Sequence, residues 1–124
     1  MTIYISHSRK FDFHKELYAV LQDSELAKKH TFILPHAESN ESYDTRTFFQ
    51  SETCDLVIAE VSYPSTGQGI ELGWADALRI PIICLYKKDA QTSQSLSLIS
   101  KKLLMYTDQE NMLEDITGAL MQYE

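Results

Sequence analysis

The sequence predicts a single α/β domain built on a doubly wound parallel sheet of about five strands. Three observations point there. Short apolar runs bounded by turn residues recur along the chain. Stretches with apolar residues three and four apart, the spacing of amphipathic helices, lie between them. Strands and helices alternate in this way when helices cover both faces of a parallel sheet. A chain of 124 residues fits one compact domain, 1–124.

The elements follow in order. Thr2–Ser6 (TIYIS) reads as the first strand. Asp12 can cap a helix whose Phe13, Leu17, Val20 and Leu21 share a face. Thr31–Leu34 is a second strand, ended by Pro35, and Ala37–Tyr43 is a polar loop. Asp44 caps a shorter helix running to about Thr53. Asp55–Val61 is a continuous apolar strand interrupted by Glu60, as suits a sheet covered on both faces. A helix from Gly69 to Arg79 places Ile70, Trp74 and Leu78 on one stripe. Ile80–Tyr86 is the fourth strand, Ser93–Lys101 a helical segment and Leu103–Tyr106 a short edge strand. Asn111–Tyr123 closes the chain as a helix, with Leu113, Ile116, Leu120 and Tyr123 in period.

Composition narrows the function. At 44% hydrophobic and 23% charged, this is an ordinary globular domain. No basic-then-apolar leader and no apolar run near ~20 residues is visible, so a cytoplasmic protein is expected. Cys54 and Cys84 form no CxxC pair and read as buried reduced thiols. A net charge of −7 argues against a polymeric nucleic-acid ligand, which needs a basic face. A single nucleotide needs only local donors, and Arg9 and Lys10 stand beside the first strand.

The corner PSTGQGIELGWADAL, Pro64–Leu78, carries the chemistry. In an open parallel sheet, ligands bind beyond the carboxyl ends of the strands, where this loop and Ser6–Lys10 both start. Glu71 falls in the first turn of the expected helix. An acid there complements the helix dipole, by ~0.3–1 kcal/mol. It is also an ionised carboxylate behind a cradle of Gly67, Gly69, Ser62, Ser65 and Thr66, which suits a nucleophile for a sugar carbon. Other templates fit poorly. The first loop, SHSRK, has no glycine, and Gly67-x-Gly69-x-x-x-Gly73 is one residue off the dinucleotide pattern. GKS and GKT are absent, and the four histidines lack ligand spacing, so neither a P-loop nor a metal is expected. Ser6 and His7 point to opposite faces of a strand, against a nucleophile–base pair. His7 is either a loop residue near the ligand or a surface histidine. Tyr4 either packs in the core or holds Glu71, since a tyrosine in a central strand must place its hydroxyl.

The run D-L-V-I-A-E-V-S-x-P-S-x-G-x-G-x-E-L-G-W-A, Asp55–Ala75, closely resembles the signature of the nucleoside 2-deoxyribosyltransferase family. It is nearest the branch of 2′-deoxynucleoside 5′-monophosphate N-glycosidases. The resemblance implies a flavodoxin-like, Rossmann-like fold and a glycosyl-enzyme formed on Glu71, with Tyr4 orienting that carboxylate. It implies 5′-phosphate contacts from Ser65 and Gly67, with Gly69 in the same cradle and Ser8 and Arg9 nearby. A polar residue from a neighbouring subunit, Ser95 or Ser97, would close the site of a homodimer or higher homo-oligomer. One departure stands out: the family has an aspartate for the departing base eight residues before Asp55, where this chain has Thr47. Asp44, three residues earlier on the same helical face, is the candidate substitute.

The reading is cleavage of the N-glycosidic bond of a nucleoside or nucleoside 5′-monophosphate, hydrolysis being favoured over transfer. No cofactor, metal or membrane is expected. The alternative is a non-catalytic nucleotide-binding module on the same fold, with Thr47 marking lost chemistry.

Overall fold

The structure is a computed structural model and describes residues 1–38 and 41–123. Within the loop expected at Ala37–Tyr43, Ser39 and Asn40 lie outside the described residues. Five strands, β1 (Thr2–His7), β2 (Thr31–Ile33), β3 (Leu56–Glu60), β4 (Ile82–Lys87) and β5 (Lys102–Tyr106), form one sheet in the order β2-β1-β3-β4-β5. Every neighbouring pair is parallel. This is the doubly wound order that reverses direction between β1 and β3, where such sheets open a crevice at the strands' carboxyl ends.

Alternation along the strands explains the two-sided core. Ile3, Ile5, Leu56, Ile58, Ile83 and Leu85 point to one face. There they meet Leu17 and Leu21 of α1, a π turn at His14–Tyr18 continued by Ala19–Gln22, and Met112, Ile116 and Leu120 of α6 (Gln109–Leu120). Tyr4, Val57, Ala59 and Cys84 point to the other face, against Phe49 of α3 (Thr45–Gln50) and Leu72 and Ala75 of α4 (Thr66–Ala77). Cys54 and Cys84 are buried free thiols.

Several boundaries differ from the sequence expectation, each for a local reason. Helix α1 opens with a π turn at His14–Tyr18 before continuing over Ala19–Gln22. The wider turn brings adjacent Leu17 and Tyr18 both inward. A short helix, α2 (Leu26–Lys29), was not expected. Asp44 does cap α3, accepting the Thr47 N–H at 3.3 Å, but the helix stops before Glu52, whose φ of 64° is left-handed. Only Leu96–Ile99 of the expected Ser93–Lys101 helix is helical; this is α5. In α6 the buried set is Met112, Ile116, Ala119 and Leu120, while Tyr123 lies beyond the helix and exposed.

The main correction concerns α4. Ser65 is its N-cap, accepting the Gln68 N–H at 3.3 Å, so the helix starts three residues before the expected Gly69. Glu71 therefore sits in the second turn, and no acid occupies the first. The glycine- and hydroxyl-rich stretch is itself helical rather than a loop. The helix buries Gln68, Leu72 and Ala75, which leaves Ile70 and Leu78 on the outer face, 49% and 45% exposed.

Candidate active site

Glu71 projects from α4 over the carboxyl end of β1, at the reversal of strand order. Its Oε1 accepts the Tyr4 hydroxyl at 3.2 Å, and its Oε2 accepts the Ser6 hydroxyl at 2.9 Å. Tyr4 and Ser6 are two apart on one strand, so both reach the same face. The Tyr4 oxygen also meets Thr45 Oγ1 at 2.7 Å; with the phenolic proton given to Glu71, Thr45 is the donor there. Tyr4 thus packs in the core, edge-on to Phe49, and holds the glutamate as well. Burial pushes the Glu71 carboxyl above its ordinary range, opposed by the Ser6, Tyr4 and Thr45 hydroxyls and by Arg9. Burial and the Glu71 charge push the Tyr4 phenol far up, so it stays a donor.

Glu71 borders a cleft of about 470 Å³. Ser8, Arg9 and Lys10 from the β1–α1 loop line one side of it, together with Ser65 and Gly67 from the start of α4. Tyr43, Thr45 and Trp74 line it elsewhere, and half-buried Trp74 also packs against the core cluster beneath. Ser8 is buried, and its Oγ accepts the Lys10 N–H at 3.1 Å, which curls the loop. The Arg9 guanidinium reaches the His36 ring at 3.2 Å and the Glu41 carbonyl at 3.4 Å. The first turn of α4 carries N–H groups with no intrahelical partner, a ready anion-binding end.

His7 is not a surface histidine. It ends β1, buried on the strand face opposite Ser6, and lines the Glu71 cleft beside Ser8 and His36. Its Nδ1–H donates to the Ser8 carbonyl at 2.8 Å, and its Nε2 accepts the Tyr18 hydroxyl, which accepts the His36 N–H at 3.1 Å. Burial lowers its pKa to about 4, so it is neutral.

The remaining expected residues fall elsewhere. Gly69 and Ser95 line a second hollow of about 440 Å³ on the other side of α4, which Ser65 and Gln68 share with the cleft. Ser97 is exposed and donates to the Gln94 carbonyl at 2.9 Å. Asp44 is exposed, flanked by the cleft residues Tyr43 and Thr45, with Oδ1 engaged in capping. Thr47 is exposed on α3.

The sequence reading passed over Ser6 as a Glu71 donor, although its period-two relation to Tyr4 signals it. It also passed over Thr45, whose position depends on how the preceding loop folds. Glu60 was read only as a polar interruption. Its buried carboxylate accepts the Ser62 N–H at 2.6 Å, the Ser62 hydroxyl at 3.0 Å and the Tyr106 hydroxyl. Gln68 Nε2 donates to its carbonyl at 2.9 Å.

Among the described residues, no helix is long and apolar enough to cross a membrane. No family model matches the chain. Among curated proteins it is 35% identical, over 72 residues, to the 5-hydroxymethyl-dUMP N-hydrolase of Esox lucius, 56% of this chain and 48% of that protein. It is 58% identical to the enzyme of that name from Mus musculus over 33 residues, 27% of this chain and 19% of that one. A Methanosarcina mazei protein described as a 2′-deoxynucleoside 5′-phosphate N-hydrolase is 41% identical over 69 residues, 52% of this chain and 42% of that protein. The chain spans less than half the length of these curated relatives. Among solved structures, the Clostridium botulinum CMP N-glycosidase BcmB superposes with a TM-score of 0.68 at 22% identity, covering 96% of this chain and 99% of that one. That likeness establishes the fold. The names of these partial sequence relatives support the resemblance read in Asp55–Ala75, to the monophosphate N-glycosidase branch of the nucleoside 2-deoxyribosyltransferase family.

Proposed function

We propose that this chain hydrolyses the N-glycosidic bond of a nucleoside 5′-monophosphate, with Glu71 as the nucleophile. The observation that carries the reading is the Glu71 carboxylate, held by two hydroxyl donors at the border of a cleft whose other side presents Arg9, Lys10 and the start of α4. One Glu71 oxygen attacks the anomeric carbon and the bond to the base breaks, the base leaving with the electron pair and taking up a proton. Water then attacks the glycosyl ester, releasing the sugar phosphate and restoring the carboxylate. Tyr4 and Ser6 fix the carboxylate's orientation through the first step. Ser8, Arg9, Ser65 and Gly67 hold the 5′-phosphate, Arg9 through charge-assisted hydrogen bonds. Asp44, between two cleft residues, is the candidate proton source for the leaving base. The names of the sequence relatives favour water over a second base as acceptor.

The outer face of α4, with Ile70 and Leu78 exposed, is the surface on which a second copy would bring Ser95 or Ser97 to the cleft.

The decisive experiment incubates the chain with 2′-deoxynucleoside 5′-monophosphates, with and without an excess of a different free base, and separates the products. Free base and sugar phosphate are expected, with no exchanged nucleotide. Glu71→Gln, which keeps the shape without the nucleophilic charge, is expected to abolish turnover while leaving binding intact. Full turnover by that variant would reject the assignment. Tight binding by the parent chain with no cleavage would leave a nucleotide-binding module.

A further inference from the structure

The two loops on the anion side of the cleft are joined behind it by contacts that do not face the ligand. Phe11 lies two residues past Arg9, and Tyr63 lies two residues before Ser65. Their rings stack, with centroids 5.1 Å apart and an interplanar angle of 18°. Lys87, the last residue of β4, covers both, its Nζ lying 5.2 Å from each centroid. The same ammonium donates to the Tyr63 hydroxyl at 2.9 Å and to the Glu16 carboxylate of α1 at 3.0 Å. The Lys87 backbone N–H donates to Ser62 Oγ at 2.7 Å, so the lysine grips the second loop twice.

We propose that Phe11, Tyr63 and Lys87 form a clasp that sets the separation of the Arg9 loop and the Ser65 loop, and are thereby positioning residues for the 5′-phosphate. The inference rests on reading the cleft as a monophosphate site. An anion held between two loops is bound well only where their donors already converge; otherwise the cost of ordering them falls on binding. An aromatic stack under a cation removes that freedom beforehand. Other readings of the cluster are weaker. The Lys87 charge is paired with Glu16, so its direct pull on a ligand is largely cancelled. Tyr63 borders the hollow on the far side of α4, and the walls of the Glu71 cleft are formed by other residues. A purely structural clasp would stabilise the fold without distinguishing ligands, whereas a positioning clasp acts on the phosphate alone.

The test is titration calorimetry of the full chain in a Glu71→Gln background, which prevents turnover. Each protein is titrated with a 2′-deoxynucleoside 5′-monophosphate and with the matching nucleoside. Tyr63→Ala and Lys87→Met are each expected to weaken monophosphate binding about tenfold, with nucleoside affinity unchanged. The double variant is expected to be no worse than the weaker single, because the parts act as one unit. Tyr63→Phe, which keeps the stack and loses the hydrogen bond to Lys87, falls between. Lys87 is partly exposed and Met keeps the length of its stem, so Lys87→Met carries the test where Tyr63→Ala destabilises the fold. A background protein that binds both ligands equally overturns the monophosphate reading, and the clasp with it. A background that prefers the monophosphate while the variants keep that preference overturns the clasp alone. Equal losses for both ligands also overturn it, since general loosening then suffices.

Discussion

Replacing Tyr4 by Phe separates holding Glu71 from packing the core. The ring stays against Phe49, so the buried volume is kept. What disappears is one hydroxyl, which gives its proton to Glu71 Oε1 at 3.2 Å and accepts from Thr45 at 2.7 Å. A hydrogen bond to a charged group is worth ~1.5–3 kcal/mol. The Tyr4 contact is the longer of the two on Glu71, and Ser6 remains, so the lower end applies. A loss of ~1.5–2 kcal/mol in the transition state lowers kcat roughly 10- to 30-fold. KM is expected to stay within about twofold, because Tyr4 meets the proposed nucleophile rather than the proposed phosphate side. The pH profile moves too. Tyr4 is one of the groups opposing the upward push of burial on Glu71. Without it the carboxyl rises further, so the rate is lost at a higher pH as the solution is acidified. The assay is release of free base under steady-state conditions from pH 4 to 8, with thermal unfolding alongside. An unchanged kcat with an unchanged acid limb would refute the idea that Tyr4 holds Glu71 for chemistry. A rise in KM alone would make Tyr4 a substrate contact instead.

Two further outcomes are expected. His7 has a folded-state pKa lowered to about 4, so the stability gained by keeping it neutral is present above its unfolded value of ~6.5 and is lost as pH falls through 4. The loss amounts to up to about 3 kcal/mol; urea unfolding at several pH values should show it, and His7→Gln should flatten it. Asp44→Ala is expected to cost ~1 kcal/mol of stability through the lost α3 cap. It should also lower kcat at least tenfold if Asp44 serves the departing base; an unchanged kcat would leave it a cap alone.

The strands were readable because each is a short apolar run with turn residues at its ends, and the parallel order followed from their alternation with helices. Helix limits were less readable because caps decide them. Ser65 competes with the glycines after it for the start of α4, and a glycine-rich first turn looks like a loop until the cap is seen. The stripe Ile70–Trp74–Leu78 has the period of a core face, yet period alone cannot say which of two apolar stripes faces the sheet. Leu72 and Ala75 face the sheet, and Gln68, on their side, donates to the Glu60 carbonyl. The residues alone left Tyr4 between core packing and holding Glu71, and the resemblance paired the two. Thr45 and His36 were not, because they come to the cleft through a polar loop that has no periodicity.

The motif holds two buried or half-buried glutamates eleven residues apart, and the fold gives them different surroundings. Glu60 ends β3 in register with His7, and its carboxylate meets Tyr106 of β5 rather than the cleft. Its carboxylate is enclosed by the Ser62 and Tyr106 donors and 1% exposed, so no sugar carbon can approach it. Glu71 takes the Tyr4 and Ser6 hydroxyls and borders the cleft. The alternation of a strand therefore sends one acid to fasten the loop that begins α4. The helix that follows turns the other acid back over β1, where Tyr4 and Ser6 meet it. The attacking carboxylate proposed above must reach the cleft, and of these two only Glu71 lines it.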